Sequence, residues 1–265
     1  MIETITTLHR LRRYLGITNQ NTSDDDRLLL ALAAASAYVE GYTGRQFLPY
    51  RAAIPHEVVP GLPGALLLTE DLLELKSVTD ADGTVPLDDI TLLPSNGPAN
   101  LLHLDGAFAL DGSPGGDVNV EAIWGWHPHP AAMWQDSGDI VLDFTLSASA
   151  TTVNVLDADG LAADGLTPRF AVGMLIDIAT EFMRVLAVDG DANTLTVERG
   201  VRGTPAVSHT QGRSIFVYTP PADVETAVLH LATAFYRQPD LRAPDEVPAA
   251  VLTVLQRLRR ALVRA

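Results

Sequence analysis

A chain of 265 residues, 47% hydrophobic and 19% charged, has core material for one large domain or two modest ones and does not read as disordered. No apolar run nears the roughly 18 residues that span a bilayer, and Met1-Ile2-Glu3-Thr4 lacks the basic-then-apolar pattern of a secretory leader, so neither is expected. The absence of cysteine excludes disulfides and thiolate chemistry, and the net charge of −15 is concentrated in an acidic middle whose surface is not suited to gripping nucleic acid, the basic C-terminus being a different matter.

Ile5, Leu8, Leu11 and Leu15 recur on one side of a short helix predicted over Thr4–Leu15, with Arg10, Arg12 and Arg13 on the rest and Gly16 as its stop. A long helix follows between Ser23 and Phe47. Ser23 with Asp26 fits a capping box, and Asp24 and Asp25 place negative charge at the positive end of the helix dipole. Leu28, Leu32, Ala35, Val39 and Tyr42 form one apolar stripe, the alanines around them permit close approach of a neighbour, and Gly41 and Gly44 offer exits.

From Pro49 to Trp126 the periodicity changes to that of strands. Short apolar runs at 52–59, 65–68, 73–78, 90–93, 101–104 and 118–124 alternate with Gly/Pro/Asp/Asn turn clusters, which predicts a small antiparallel sheet or sandwich. His127-Pro128-His129-Pro130 then interrupts any regular element and marks a candidate boundary. Six further candidate strands between about 135 and 218 predict a small barrel or sandwich, with Asp189-Gly190 as a hairpin turn. Helix returns after Pro220-Pro221, with Val224, Ala227, Val228, Leu231 and Phe235 as its stripe. A last helix is predicted from about Pro248 to Val263, apolar at Val251, Leu255, Leu258 and Leu262, with Arg257, Arg260 and Arg264 on another face.

The charge is unevenly spread. Residues 1–51 hold six arginines against five acids, 52–240 hold seven basic against 26 acidic residues, and 241–265 hold five arginines against two acids. The terminal helices have no internal partner unless the two chain ends meet. The expected architecture is therefore α+β: a helical platform from both termini with a small antiparallel sheet (1–134 and 219–265), and 135–218 inserted as a separate small β-barrel or sandwich.

Reactive chemistry is hard to find. Asp80-Ala81-Asp82-Gly83, Asp157-Ala158-Asp159-Gly160 and Asp189-Gly190-Asp191-Ala192 lack the further ligands of a calcium loop and read as turns. His127 and His129 have no third metal ligand at a usable spacing, and His209 has no nucleophile elbow before it. Trp124, Trp126 and Trp134 could form a sugar platform but read better as packing. No catalytic residue, metal site or cofactor is assigned.

The residue order does resemble a family. Leu11-Arg12-Arg13-Tyr14-Leu15-Gly16-Ile17, the run Asp24-Asp25-Asp26, and Ala33-Ala34-Ala35-Ser36-Ala37-Tyr38-Val39-Glu40-Gly41-Tyr42-Thr43-Gly44-Arg45 resemble the opening of the head–tail connector (adaptor, or head-completion) proteins of long-tailed bacteriophages. The strand end Trp124-Gly125-Trp126 and the segment from Pro221-Ala222-Asp223-Val224 to Tyr236-Arg237 are similar to later parts of that family. The span 135–218 departs from its short members, and Val197–Thr204 with Ala206–His209 resembles a β module found in phage virion proteins.

The resemblance implies a non-enzymatic structural protein of the virion neck, assembled in the host cytoplasm. It implies a ring, commonly of twelve copies, that sits under the portal protein, extends the DNA channel without specific DNA binding, and offers a docking surface to a tail-side neck or terminator protein. No membrane is involved. On this reading Leu28, Leu32, Ala35, Val39 and Tyr42 serve subunit packing, and Arg257, Arg259, Arg260 and Arg264 meet the portal. The competing expectations are a carbohydrate- or receptor-binding module acting through the β insert and, more remotely, a carboxylate hydrolase.

Overall fold

The computed structural model describes residues 3–18, 21–110, 118–237 and 247–260. Among these residues, four α-helices and antiparallel sheets make a mixed α+β fold. By contacts, Met1–Gly44 groups with Met133–Ala265, and Arg45–Ala132 forms a second unit.

In the first unit, α1 (Leu8–Leu15) starts where the Thr7 side chain accepts the Arg10 N–H at 3.3 Å and ends at Gly16, φ +69°. Helix α2 (Asp25–Thr43) does not form the expected capping box. Its N-cap is Asp24, and the Ser23 hydroxyl donates instead to Asn21 Oδ1 at 2.8 Å. Gly41 stays inside α2, and Gly44 ends it at φ +65° with its N–H on the Glu40 carbonyl. A left-handed residue at that place favours glycine because a Cβ would crowd the following carbonyl.

Helix α3 (Ala222–Arg237) packs along α2, and α1 and α4 (Ala249–Leu258) each contact both. The helices from the two chain ends therefore share one core. Leu11, Leu32, Val39, Val228, Leu231 and Leu255 are all fully buried there.

The same unit holds the strands β7 (Trp134–Ile140), β8 (Thr145–Leu146), β9 (Thr152–Asn154), β10 (Leu175–Ile178), β11 (Glu181–Asp189), β12 (Thr194–Glu198), β13 (His209–Thr210) and β14 (Ser214–Tyr218). Six of them form an antiparallel sheet in the order β7-β14-β10-β11-β12-β9, and β8 pairs with β13 separately. Asp189-Gly190 opens the β11–β12 turn as expected, with Asp189 Oδ1 accepting the Ala192 N–H at 2.9 Å. The run predicted at 140–146 divides between β7 and β8, and β7 begins earlier, at Trp134, which packs on Phe182 and Tyr218.

The second unit contains β1 (Tyr50–His56), β2 (Ala65–Asp80), β3 (Gly83–Val85), β4 (Ile90–Leu93), β5 (Ala99–Leu104) and β6 (Val118–Trp124), ordered β1-β6-β2-β5-β4 with β3 on β2. The runs at 65–68 and 73–78 are not two strands but one of 16 residues. Its register against β5 slips between Leu67 and Leu72. Within that irregularity the buried Asp71 carboxylate takes the Arg45 guanidinium at 2.6 Å. An extra stretch of strand that departs from one partner is a bulge, and it bends the strand locally.

The contact division falls at Ala132/Met133, just beyond the His-Pro-His-Pro break. Grouping by contacts and insertion by chain order are different partitions; the expected threading of 135–218 into a connector core concerns the second.

Candidate assembly surface

The arginines singled out near the C-terminus do not share one helical face. Helix α4 stops at Leu258, Arg259 is extended (φ −61°, ψ 130°), and Arg264 lies outside the described residues. The cause is at the other end of the chain: the Arg260 N–H donates to the Thr43 carbonyl at 2.8 Å, satisfying one of the orphan carbonyls that end α2. Arg257 is paired with Asp223 at the start of α3 at 2.8 Å and is largely exposed. What remains outward at this corner is a basic edge formed by the end of α4 against α2 and α3.

The apolar stripe of α2 is spent inside the chain. Leu28, Leu32, Ala35 and Val39 are at most 1% exposed in the isolated protomer, and Tyr42 is partly covered beside Tyr38, whose ring lies 6.0 Å away. Leu30, two positions from Leu32 on the opposite side, is 60% exposed.

Three ion-pair sites had no local signature. Glu3 bridges Arg184 (2.8 Å) and Arg202 (2.7 Å), fastening the N-terminal segment to β11 and the loop after β12. Arg12, buried on α1, pairs with Asp25 at the start of α2 at 2.5 Å. Deepest is Glu181, which accepts from Arg199 through both oxygens (2.7 and 2.8 Å), from the Gly200 and Val207 N–H groups, and from His209 Nε2 at 2.8 Å. Arg199 also donates to the carbonyls of Ser147, Ala150 and Val207, so one guanidinium ties together the two loops that flank β8 and β13.

Burial pushes the Glu181 pKa up, but hydrogen bonds from Arg199, Val207 and His209 outweigh it and hold the carboxyl below its ordinary range. Gly200 completes the clamp. It sits at φ +60°, and a Cβ there would come within 2.9 Å of the Ala206 nitrogen. The 197–209 motif noticed in the sequence is thus a structural clamp.

The other polar candidates are likewise structural. Asp80 holds its own turn, accepting from the Asp82 and Ala109 N–H groups. Asp157 is in a long loop after β9 rather than in a hairpin turn, paired with Arg169 at 3.5 Å. His127 Nδ1 is engaged with the backbone of His129. Trp124 is fully buried with its indole N–H on the Ala52 carbonyl, and Trp126 stacks edge-on with Phe47 under Arg45, so the tryptophans do not form a platform. Among the described residues, no group of three or more histidine or acidic side chains is placed to hold a metal ion, and no helix is long and apolar enough to cross a membrane.

The helical hairpin and first strands have a known counterpart: residues 5–72 match the family model described as phage gp6-like head-tail connector protein. Over this segment the chain is similar to the gp6-like head–tail connector family. The matched segment comprises α1, α2, β1 and the first half of β2. A solved structure described as "Neck of empty GTA particle computed with C6 symmetry" aligns over 98% of this chain and 92% of that one, at 14% identity and a TM-score of 0.49. No curated protein sequence matches the chain.

Proposed function

We propose that the chain is a structural head–tail connector of a phage-type virion neck, assembled in the host cytoplasm. The observation that carries this reading is the family match over residues 5–72. It is supported by the packing of α3 and α4 onto the connector helices, which makes a helical platform from both chain termini. In the proposed assembly, copies form a closed ring, of twelve subunits in the family's usual arrangement, beneath the portal protein. The ring continues the DNA channel and presents a tail-side face to the next neck or terminator protein.

The basic corner at Arg257, Arg259 and Arg260, with Arg264 beyond it in sequence, is proposed to meet an acidic portal surface. Because Leu28, Leu32, Ala35 and Val39 are occupied within the chain, any contribution of α2 to subunit packing falls to Tyr42 and the exposed side around Leu30. Residues 45–132 carry twelve acids against three basic residues, and Glu57, Glu74, Asp82, Asp88, Asp89 and Asp105 are exposed. A channel wall of that charge lets the phosphate backbone slide past without adhering. The segment 135–218 is read as an insertion in the connector core.

Portal protein mixed with the chain and separated by size is expected to yield a joint complex. Replacing Arg257, Arg259, Arg260 and Arg264 by Ser is expected to abolish that complex while the circular dichroism of the free chain stays unchanged. Undiminished binding by this variant would remove the basic corner from the account, and absence of binding by the wild-type chain would remove the connector role itself. Glycan binding in the absence of portal would favour the alternative of a carbohydrate- or receptor-binding module.

A further inference from the structure

We infer that Asn96 is a site of spontaneous deamidation, at which the chain converts its own turn between β4 and β5 from a neutral to an anionic one.

The reaction is an attack by the backbone nitrogen of the following residue on the asparagine side chain. It is least obstructed in Asn-Gly, because glycine has no side chain to shield that nitrogen or restrict its dihedrals. The chain has seven asparagines, and Asn96-Gly97 is the single Asn-Gly among them. The others precede Gln20, Thr22, Leu101, Val120, Val155 and Thr194, four of which are β-branched and stiff beside the nitrogen that would attack.

The structure leaves each participant free at this one place. The pair lies in the turn Pro94–Pro98, outside both strands, and Asn96 is exposed. Among the described residues, no hydrogen bond engages the Asn96 side-chain amide or the Gly97 N–H. A Cβ on Gly97 would meet no atom within 4 Å, so the space around the attacking nitrogen is open. Elsewhere the amides are occupied or the backbone is fixed. Asn21 Oδ1 accepts the Ser23 hydroxyl at 2.8 Å, Asn154 donates to Asp143, and Asn193 Oδ1 accepts the Ala158 N–H at 3.0 Å. Asn100 and Asn119 are held extended in β5 and β6.

The step balances with water as its one co-reactant. The Gly97 nitrogen gives up its proton and bonds to the Asn96 side-chain carbonyl carbon, while the bond from that carbon to the amide nitrogen breaks. Ammonia leaves with the proton, and a succinimide ring remains. Water then opens the ring at either carbonyl, giving aspartate or isoaspartate, the latter with an extra methylene in the main chain. Either product puts a carboxylate at the rim of a cavity of about 450 Å³ lined by Leu73, Leu92, Ala99, His129 and Pro130. The extra methylene falls in the turn that sets the register of β4, an edge strand with β5 as its one neighbour.

The test follows every asparagine of the full chain by mass spectrometry after incubation in mildly alkaline buffer and digestion in acid, with isoaspartyl methyltransferase labelling to separate the two products. The amide at 96 is expected to be lost first, with the label at that residue, and to be lost faster as pH rises because the attacking nitrogen must shed its proton. Gly97→Ala, which the open space accommodates, is expected to slow the loss at 96 to the pace of the other asparagines with the melting temperature unchanged. Asn96→Gln, whose longer side chain closes a less favoured ring, is expected to keep its amide. An amide at Asn96 that outlasts those of Asn100 and Asn154, or loss in Gly97→Ala at the wild-type rate, would overturn the assignment.

Discussion

Glu181→Ala tests the energetics of the β module most sharply. Both partners of the pair are buried, the Glu181 side chain at 0% and Arg199 at 5% exposure. Removing one side of a buried pair leaves the other charge desolvated and typically costs about 3–5 kcal/mol. The Gly200 and Val207 N–H groups and His209 lose their acceptor as well. A loss of at least about 4 kcal/mol is therefore expected, and at about 2–4 °C per kcal/mol this lowers the melting temperature by roughly 8–16 °C. Differential scanning calorimetry measures it directly.

Glu181→Gln keeps one acceptor and is expected to fall between wild type and Glu181→Ala. It also isolates the charge. The folded carboxyl titrates below the ordinary 4.5, so its stabilisation is present above that value and is lost as pH falls through the lower folded pKa. The wild-type melting temperature should drop more steeply below about pH 4.5 than that of Glu181→Gln. A Glu181→Ala cost under about 1 kcal/mol would refute the reasoning, because it would mean the clamp is solvated or dispensable.

On α2, Leu32→Ala should cost about 2–5 kcal/mol in thermal or urea unfolding, whereas Leu30→Ala on the exposed side should stay within about 0.5 kcal/mol. In the sheet unit, Arg45→Ala strands the buried Asp71 and removes the cation from the Trp126 face, and about 3 kcal/mol of destabilisation is expected by urea denaturation. Gly44→Ala places a Cβ at φ +65° and should cost about 1–2 kcal/mol by the same assay. Arg257→Ser breaks a largely exposed pair and should change monomer stability by less than about 1 kcal/mol, so that a defect in portal binding reports on the surface alone.

The elements governed by short-range pattern were legible in the sequence. Gly16 and Gly44 end α1 and α2 because a left-handed residue can be read wherever a glycine follows an amphipathic run. The α2 stripe of Leu28, Leu32, Ala35 and Val39 is buried as its periodicity implies, although within the chain, since sequence period fixes which face is covered and not what covers it. The Asp189-Gly190 turn is local chemistry of the same kind.

What escaped depended on distant partners. Ser23 could cap α2 by its spacing, but Asn21 competes for its hydroxyl. The extent of α4 is limited by Thr43, a residue from the opposite chain end. The two runs of β2 read as two strands because Glu70 and Asp71 interrupt the apolar pattern, and the partner that compensates the buried Asp71, Arg45, lies 26 positions earlier. Glu3 and Arg184 are 181 positions apart, with no motif to connect them. In the β module the Val197–Thr204 motif did flag the right residues, yet its role as a clamp became evident only with Glu181 opposite Arg199.

The connector role is tested most directly by electron microscopy of purified portal protein mixed with this chain. The account predicts a ring of additional density on the tail-facing side of every occupied portal, coaxial with its channel. Bare portals beside a chain that remains free would contradict it.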